Sequence, residues 1–106
     1  MRLRRRLVGS SDSATVEVVR SLARRVGVAE PVVDDGFDWS TALVAELADR
    51  GANLLLQLDG DRPCDRRVTV LLSGSLLEGE FIRREGATVG AALSEVLCAF
   101  ALEWPD

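Results

Sequence analysis

The chain has 106 residues, of which 47% are hydrophobic and 28% charged, with a formal net charge of −4. This length supports one domain with a modest core, and the composition is too apolar for a disordered protein. No apolar run approaches the roughly 20 residues of a membrane span, and no apolar stretch of a signal peptide follows the basic start MRLRRR. We therefore expect a folded, cytoplasmic, single-domain protein without a membrane anchor.

Several residue types are missing from the chain. All 13 basic residues are Arg, and Lys, His and Tyr are absent, a pattern that favours a GC-rich, bacterial source. Without His the chain lacks the side chain that titrates near neutral pH, and without Lys it lacks a Schiff-base amine. A structural zinc ion needs four nitrogen or sulfur ligands, and the chain offers only Cys64 and Cys98. We expect both to be thiols; a disulfide between them is the alternative. The sequence predicts no enzymatic activity, no metal and no cofactor.

Charge is unevenly distributed along the chain. Residues 1–25 contain seven Arg and two acidic residues, whereas residues 26–106 contain six Arg and fifteen acidic residues. This distribution predicts a flexible basic arm over residues 1–12 attached to an acidic body. The partner of such a body is expected to be basic.

Two helices are predicted ahead of any strand. Apolar residues three and four positions apart predict the first helix over residues 13–26, and Gly27 ends it. The same spacing predicts the second helix over residues 39–50, which Gly51 ends. The first helix has one apolar face, which either packs on the other elements or mediates association.

Alternating apolar residues then predict three strands, over residues 53–58, 67–73 and 77–84, joined by short loops. A final helix is predicted over residues 88–104, with Thr88 as its N-cap. The heaviest apolar residues of the third strand are Phe81 and Ile82. The predicted fold is a two-layer α+β domain of order α-α-β-β-β-α, in which a three-stranded antiparallel meander packs on helices.

The segment that begins at Leu22 resembles the start of a helix-turn-helix, because Ala23, Gly27 and Val33 have the spacing of that motif. A recognition helix after Pro31 would be about one turn long before Gly36 breaks it, and its exposed residues would be acidic. We therefore predict a helix followed by a loop.

From residue 39 onward the order of elements resembles the double-stranded RNA-binding domain. That family binds phosphates through a Lys-rich start of its last helix and reads a minor groove through a strand loop that usually carries His. The corresponding segment of this chain, residues 85–91, has no basic residue, and the loop over residues 59–65 is acidic. The topology is therefore retained as a prediction, and RNA binding is disfavoured.

A short motif also resembles HicB-like antitoxins, in which a meander passes into a helix through Gly-x-Thr-x-x-x-Ala-Leu. The matching residues are Gly86, Thr88, Ala92 and Leu93. A turn, an N-cap and the first core contacts of a helix account for them locally. This chain departs from the family by carrying two helices before its strands, and the resemblance implies a protein that binds a partner.

These observations favour a small, non-enzymatic, acidic protein-binding or regulatory module of antitoxin, immunity or accessory type. Its partner is expected to be another, basic protein or a second copy in a homodimer. Surplus apolar surface predicts a partner interface that comprises Val19, Leu22, Val26 and Trp104. The alternative is a nucleic-acid-binding domain that uses Arg2, Arg4, Arg5, Arg6, Arg83 and Arg84.

Overall fold

The computed structural model describes residues 13–105. It confirms an α+β domain with the predicted order of elements. The bounds are α1 Ser13–Val26, α2 Thr41–Asp49, β1 Ala52–Leu58, β2 Val68–Gly74, β3 Ile82–Gly86 and α3 Val89–Glu103. Short 3-10 turns precede α2, β2 and β3, and the loop from Val28 to Phe37 contains no recognition helix.

The sheet is an antiparallel meander in the order β1-β2-β3. Leu54 of β1 lies opposite Leu72 of β2, which lies opposite Ile82 of β3. Because strand side chains alternate between faces, the even-numbered residues of all three strands share the inner face. Val68, Val70 and Leu72 on that face are buried, as the alternating pattern predicts.

All three helices lie on the inner side of the sheet. α3 packs against β2 and β3, α2 packs against β1, and α1 packs mainly against α3. α3 is apolar over most of its circumference because it contacts both the sheet and α1. One core unites the elements, and its largest buried side chains include Leu22, Leu43, Leu47, Leu93 and Leu97.

The third strand is shorter than predicted. Ser75–Leu77 form a 3-10 turn, and β3 begins only at Ile82. Glu78 and Gly79 have φ angles of 56° and 89°, which are incompatible with an extended strand. The prediction of a strand from residue 77 was therefore wrong by five residues at its start.

The outer face of the sheet is covered by no helix within residues 13–105. Leu55 on this face is 60% exposed and lies opposite Leu71. At the β3 end of the face, Glu85 accepts hydrogen bonds from Arg62 at 2.6 Å and from Arg83 at 2.8 Å. The bond from Arg83 lowers the pKa of Glu85, and the bond from Arg62 lowers it further, against the opposing effect of burial.

The loop between α1 and α2 is fixed at both ends. Glu30 pairs with Arg24 at 2.9 Å and with Arg20 at 3.2 Å; the hydrogen bond from Arg24 lowers the pKa of Glu30. At the other end the Gly90 N–H donates to the carbonyl of Asp35 at 2.8 Å. A Cβ at position 90 would overlap the backbone of Asp34, so this close approach requires glycine.

The residues of the antitoxin-like motif have local roles. The Thr88 hydroxyl accepts a hydrogen bond from the Ala91 N–H at 3.0 Å, which confirms the predicted N-cap. A Cβ at Gly86 would lie 3.1 Å from the Ala92 nitrogen. Ala92 and Leu93 are fully buried. The strand-to-helix connection therefore explains the motif without a partner.

Candidate protein-binding groove

The interface predicted on the first helix is corrected by the structure. Val19 and Leu22 are 0% exposed and Val26 is 6% exposed, because α1 packs against α3 within the same chain. Burial of that face in the chain's own core leaves it unable to contact a partner. Of the four residues predicted for the interface, Trp104 is the one that is not buried.

Of the six arginines predicted for anion contact, only Arg83 and Arg84 belong to the described residues. Arg2, Arg4, Arg5 and Arg6 lie outside the described residues. Arg83 and Arg84 are exposed neighbours in β3, so their side chains leave opposite faces of the sheet. Arg83 is paired with Glu85, and Arg84 donates to the Arg83 carbonyl at 2.9 Å. Arg83 and Arg84 alone do not form a basic patch, because Glu85 neutralises Arg83.

A groove of about 650 Å³ separates the turn before β3 from the last turns of α3. The 3-10 turn Ser75–Leu77 and the left-handed Glu78 carry the chain away from the sheet and so form one wall. The C-terminal part of α3 forms the other wall. The apolar side chains that line the groove are Leu76, Leu77, Phe81, Ile82, Phe100 and Trp104.

Phe81 is the most exposed of these apolar side chains, with 65% of its surface accessible. It immediately precedes β3, where the chain has not yet joined the sheet. Phe81 and Ile82 are adjacent, and neighbouring residues of an extended chain cannot face the same core. This alternation is the sequence signal that could have marked one of the two as exposed.

Trp104 is held in place on several sides. Its ring stacks on Phe100 at a centroid distance of 5.1 Å, while the guanidinium groups of Arg25 and Arg50 lie 4.8 Å and 5.8 Å from its centroid. Arg25 also donates to the Trp104 carbonyl at 2.8 Å. Cation–π and stacking contacts of this kind restrict the ring, so the wall it forms is pre-arranged.

Acidic side chains surround this apolar surface. Glu78, Glu80 and Glu103 line the groove together with Arg83 and Arg84. Within residues 13–105 none of the three glutamates forms an ion pair, whereas Arg83 is neutralised by Glu85. Among the described residues Arg84 has no carboxylate partner and offsets one of the three glutamates, so the groove combines an exposed aromatic ring with a net negative charge. The sequence pattern by itself indicates no role for any of these glutamates.

Other kinds of site are not formed by the described residues. Cys64 is exposed and Cys98 is half-buried. No group of three or more His, Cys, Asp or Glu side chains within residues 13–105 is placed to hold a metal ion. In the same part of the chain, none of the helices has the length and apolar character needed to cross a bilayer.

Comparison with protein-family models, curated proteins and solved structures finds no match to this chain. The similarities to double-stranded RNA-binding domains and HicB-like antitoxins are thus limited to element order and a short motif. The fold defines the chain as a small α+β domain, and the groove is the basis for a functional proposal.

Proposed function

We propose that this chain is a small, non-enzymatic protein-binding module whose groove accepts a segment with an apolar anchor flanked by basic residues. The observation that carries this proposal is the exposure of Phe81, 65%, in a groove that is also lined by Trp104 and by Glu78, Glu80 and Glu103. A role of antitoxin, immunity or accessory type, in which a small acidic protein binds a larger basic one, is part of the proposal.

Burial of the aromatic ring supplies the affinity in this proposal. A groove that contains an exposed Phe and a restrained Trp is the kind of surface that forms the energetic centre of an interface, because aromatic rings bury large areas at little entropic cost. Removing apolar surface from water contributes about 25 cal/mol per Å². Covering the exposed Phe81 ring with the partner's apolar anchor therefore makes the free energy of binding substantially more favourable.

The glutamates select the partner's charge. Between residues 13 and 105 the chain has nine Arg and fifteen acidic residues, so the potential around the groove is negative. Arg or Lys residues of a partner would compensate Glu78, Glu80 and Glu103, whereas acidic partners would be repelled. Association should accordingly be fast at low ionic strength and slower in salt.

Nucleic-acid binding, the alternative prediction, is less favoured by these observations. Arg83 is already paired with Glu85, and the groove that Arg83 and Arg84 both line also presents three glutamates. Phosphate binding instead requires several cations directed at one surface. The residues that could restore this alternative are those of the N-terminal arm.

The test uses a synthetic amphipathic peptide that carries Leu and Arg, and the same peptide with every Arg replaced by Glu. Binding is followed by the indole N–H signals of the isotope-labelled full chain. Trp104 lines the groove, whereas the Trp39 indole donates to the Gly36 carbonyl at 2.8 Å and serves as internal reference. We expect the Arg peptide to shift the Trp104 signal with little change at Trp39, and the Glu peptide to shift neither.

Phe81→Ser should weaken binding of the Arg peptide about five- to thirtyfold, through the loss of ~1–2 kcal/mol of apolar burial. Leu102→Ser is the matched control, because Leu102 is 72% exposed but lies outside the groove. Equal weakening by both variants would contradict the proposal. Tighter binding of a DNA or RNA duplex than of the Arg peptide at about 0.1 M salt would favour the alternative.

A further inference from the structure

Within the described residues, the edge strand β1 has none of the charges, prolines or bulges that commonly protect the edge of a sheet. Its seven residues, ANLLLQL, include no charge and no proline, and every residue pairs with β2 without a bulge. The opposite edge strand, β3, is shorter and contains Arg83, Arg84 and Glu85. A long, flat, apolar edge invites pairing with another strand, so β1 differs from β3 in its capacity to associate.

The register shows which backbone groups of β1 are available. The Asp59 N–H donates to the Arg67 carbonyl at 2.9 Å, which makes this a hydrogen-bonded pair in the β1–β2 ladder. Because such pairs alternate along an antiparallel ladder, odd-numbered residues of β1 bond to β2 and even-numbered residues point away. No other strand within residues 13–105 pairs with the outer edge, where the N–H and C=O groups of Leu54 and Leu56 lie.

We propose that β1 pairs with β1 of a second copy in antiparallel orientation, with Leu55 on the two-fold axis, and that one continuous sheet then spans the dimer. In this register Leu54 of one copy exchanges backbone hydrogen bonds with Leu56 of the other. Ala52 exchanges them with Leu58 of the other copy. Leu55 faces its own counterpart in a non-hydrogen-bonded pair, the closer kind of pair in an antiparallel ladder.

The side chains of β1 complement one another in this arrangement. Leu58, which is 63% exposed, lies opposite the small Ala52, and Asn53 lies opposite Gln57, so two amides meet. On the outer face the two Leu55 side chains, each 60% exposed, meet between the two Leu71 side chains and form one apolar band. A two-fold interface requires such self-complementarity.

Charge also favours a second copy at this edge. The body is acidic, with fifteen acidic residues against nine Arg over residues 13–105, so two copies repel over most of their surfaces. β1 is uncharged and is where two copies can approach without that repulsion. The groove lies at the β3 side of the sheet, so dimerisation and occupation of the groove are independent.

The first experiment compares two double variants of the full chain by sedimentation equilibrium. Asn53→Lys/Gln57→Lys places like charges opposite each other twice in the proposed register, and we expect the dimer dissociation constant to rise about tenfold or more. Asn53→Glu/Gln57→Lys changes the same positions but places opposite charges together, and we expect it to dimerise at least as well as the parent. Equal effects of the two variants would overturn the register.

The second experiment uses a cross-link. In a Cys64→Ser/Cys98→Ala background, Leu55→Cys should form a disulfide-linked dimer on mild oxidation, because the Cα separation of about 4.5 Å in a non-hydrogen-bonded pair suits a disulfide. Leu58→Cys, equally exposed but opposite Ala52, should not. Efficient cross-linking of both variants would indicate random collision and overturn the proposal. A parent chain that remains monomeric up to about 1 mM would also overturn the proposal. The same holds if the Leu54 and Leu56 amides of that monomer are protected from exchange, because residues 1–12 would then occupy the edge in place of a second copy.

Discussion

Arg25 and Trp104 are joined by two different contacts, although they are 79 residues apart in the chain. The Arg25 guanidinium lies 4.8 Å from the centroid of the Trp104 ring and donates to the Trp104 carbonyl at 2.8 Å. A second hydrogen bond reaches the Ala101 carbonyl at 3.0 Å. Backbone carbonyls in the last turn of a helix have no N–H of a following turn to bond to. Arg25 supplies donors to two such carbonyls at the C-terminus of α3 and so fixes one wall of the groove.

Replacement of Arg25 by methionine should lower the free energy of unfolding by about 1–3 kcal/mol, because two charged hydrogen bonds are lost while the apolar stem is largely retained. Arg25→Lys should be intermediate, since an ammonium group cannot reproduce the planar fork. Urea unfolding measures the effect. Arg50→Met is the control, because it removes the other cation over Trp104, an exposed one at 5.8 Å from the ring centroid. It should lower the free energy of unfolding by less than Arg25→Met. An equal loss of stability in the two variants would contradict the role given to Arg25.

Gly90→Ala should destabilise the fold by about 1–3 kcal/mol, because the new Cβ forces the loop at Asp34 away from α3. The sign distinguishes this explanation, since Gly→Ala within a helix otherwise stabilises by about 1 kcal/mol. Thermal unfolding provides the measurement. A Cβ at Gly60 meets nothing within 4 Å, so Gly60→Ala should be nearly neutral, and a stabilised Gly90→Ala would refute the close approach.

Thr88→Ala should lower the free energy of unfolding by about 1 kcal/mol, the usual contribution of an N-cap side chain. The hydroxyl accepts from the Ala91 N–H and donates to an Asp35 carboxylate oxygen at 3.3 Å, so its loss affects both α3 and the α1–α2 loop. Thr88→Ser keeps the hydroxyl and should retain most of the stability in urea unfolding. If serine failed to rescue the loss, the methyl group of Thr88 would be the important contact instead.

Glu85 should make stability depend on pH at the acidic end. Its folded-state pKa is lowered by Arg83 and Arg62, so its contribution is present above the unfolded pKa of about 4.3 and is lost as pH falls through the lower folded pKa. Glu85→Gln should therefore be less stable than the parent at pH 7, and the two unfolding midpoints should converge as the pH is lowered below 4.3. A difference that persists in full below about pH 2 would exclude the electrostatic explanation.

Local pattern was sufficient for most of the fold. α1 ends at the predicted residue, and β1, β2 and α3 lie within one residue of prediction at each end, because helical spacing and strand alternation are properties of neighbouring residues. The predicted start of β3 was wrong because Glu78 and Gly79 adopt left-handed conformations. The apolar residues Leu76 and Leu77 fit a strand pattern, but the structure places them in a 3-10 turn.

The candidate groove was predicted much less well than the fold. Trp104 was identified as surplus apolar surface, but the other three residues of that predicted interface, Val19, Leu22 and Val26, are core residues. An amphipathic pattern shows that one face of a helix must be buried and does not show against what. The grouping of Phe81 with Glu78, Glu80 and Glu103 depends on how the turn before β3 faces α3.

By itself, the sequence determined which segments are helical or extended, which of their faces are apolar, and that the body is acidic. The tertiary structure decided that α1 packs against α3, that Arg25 binds the end of α3, and that Phe81 remains outside the core. The physical reason is range: periodicity and capping act over a few residues. Packing instead joins residues distant in the chain, and each such contact is selected by the shape and charge of the whole fold.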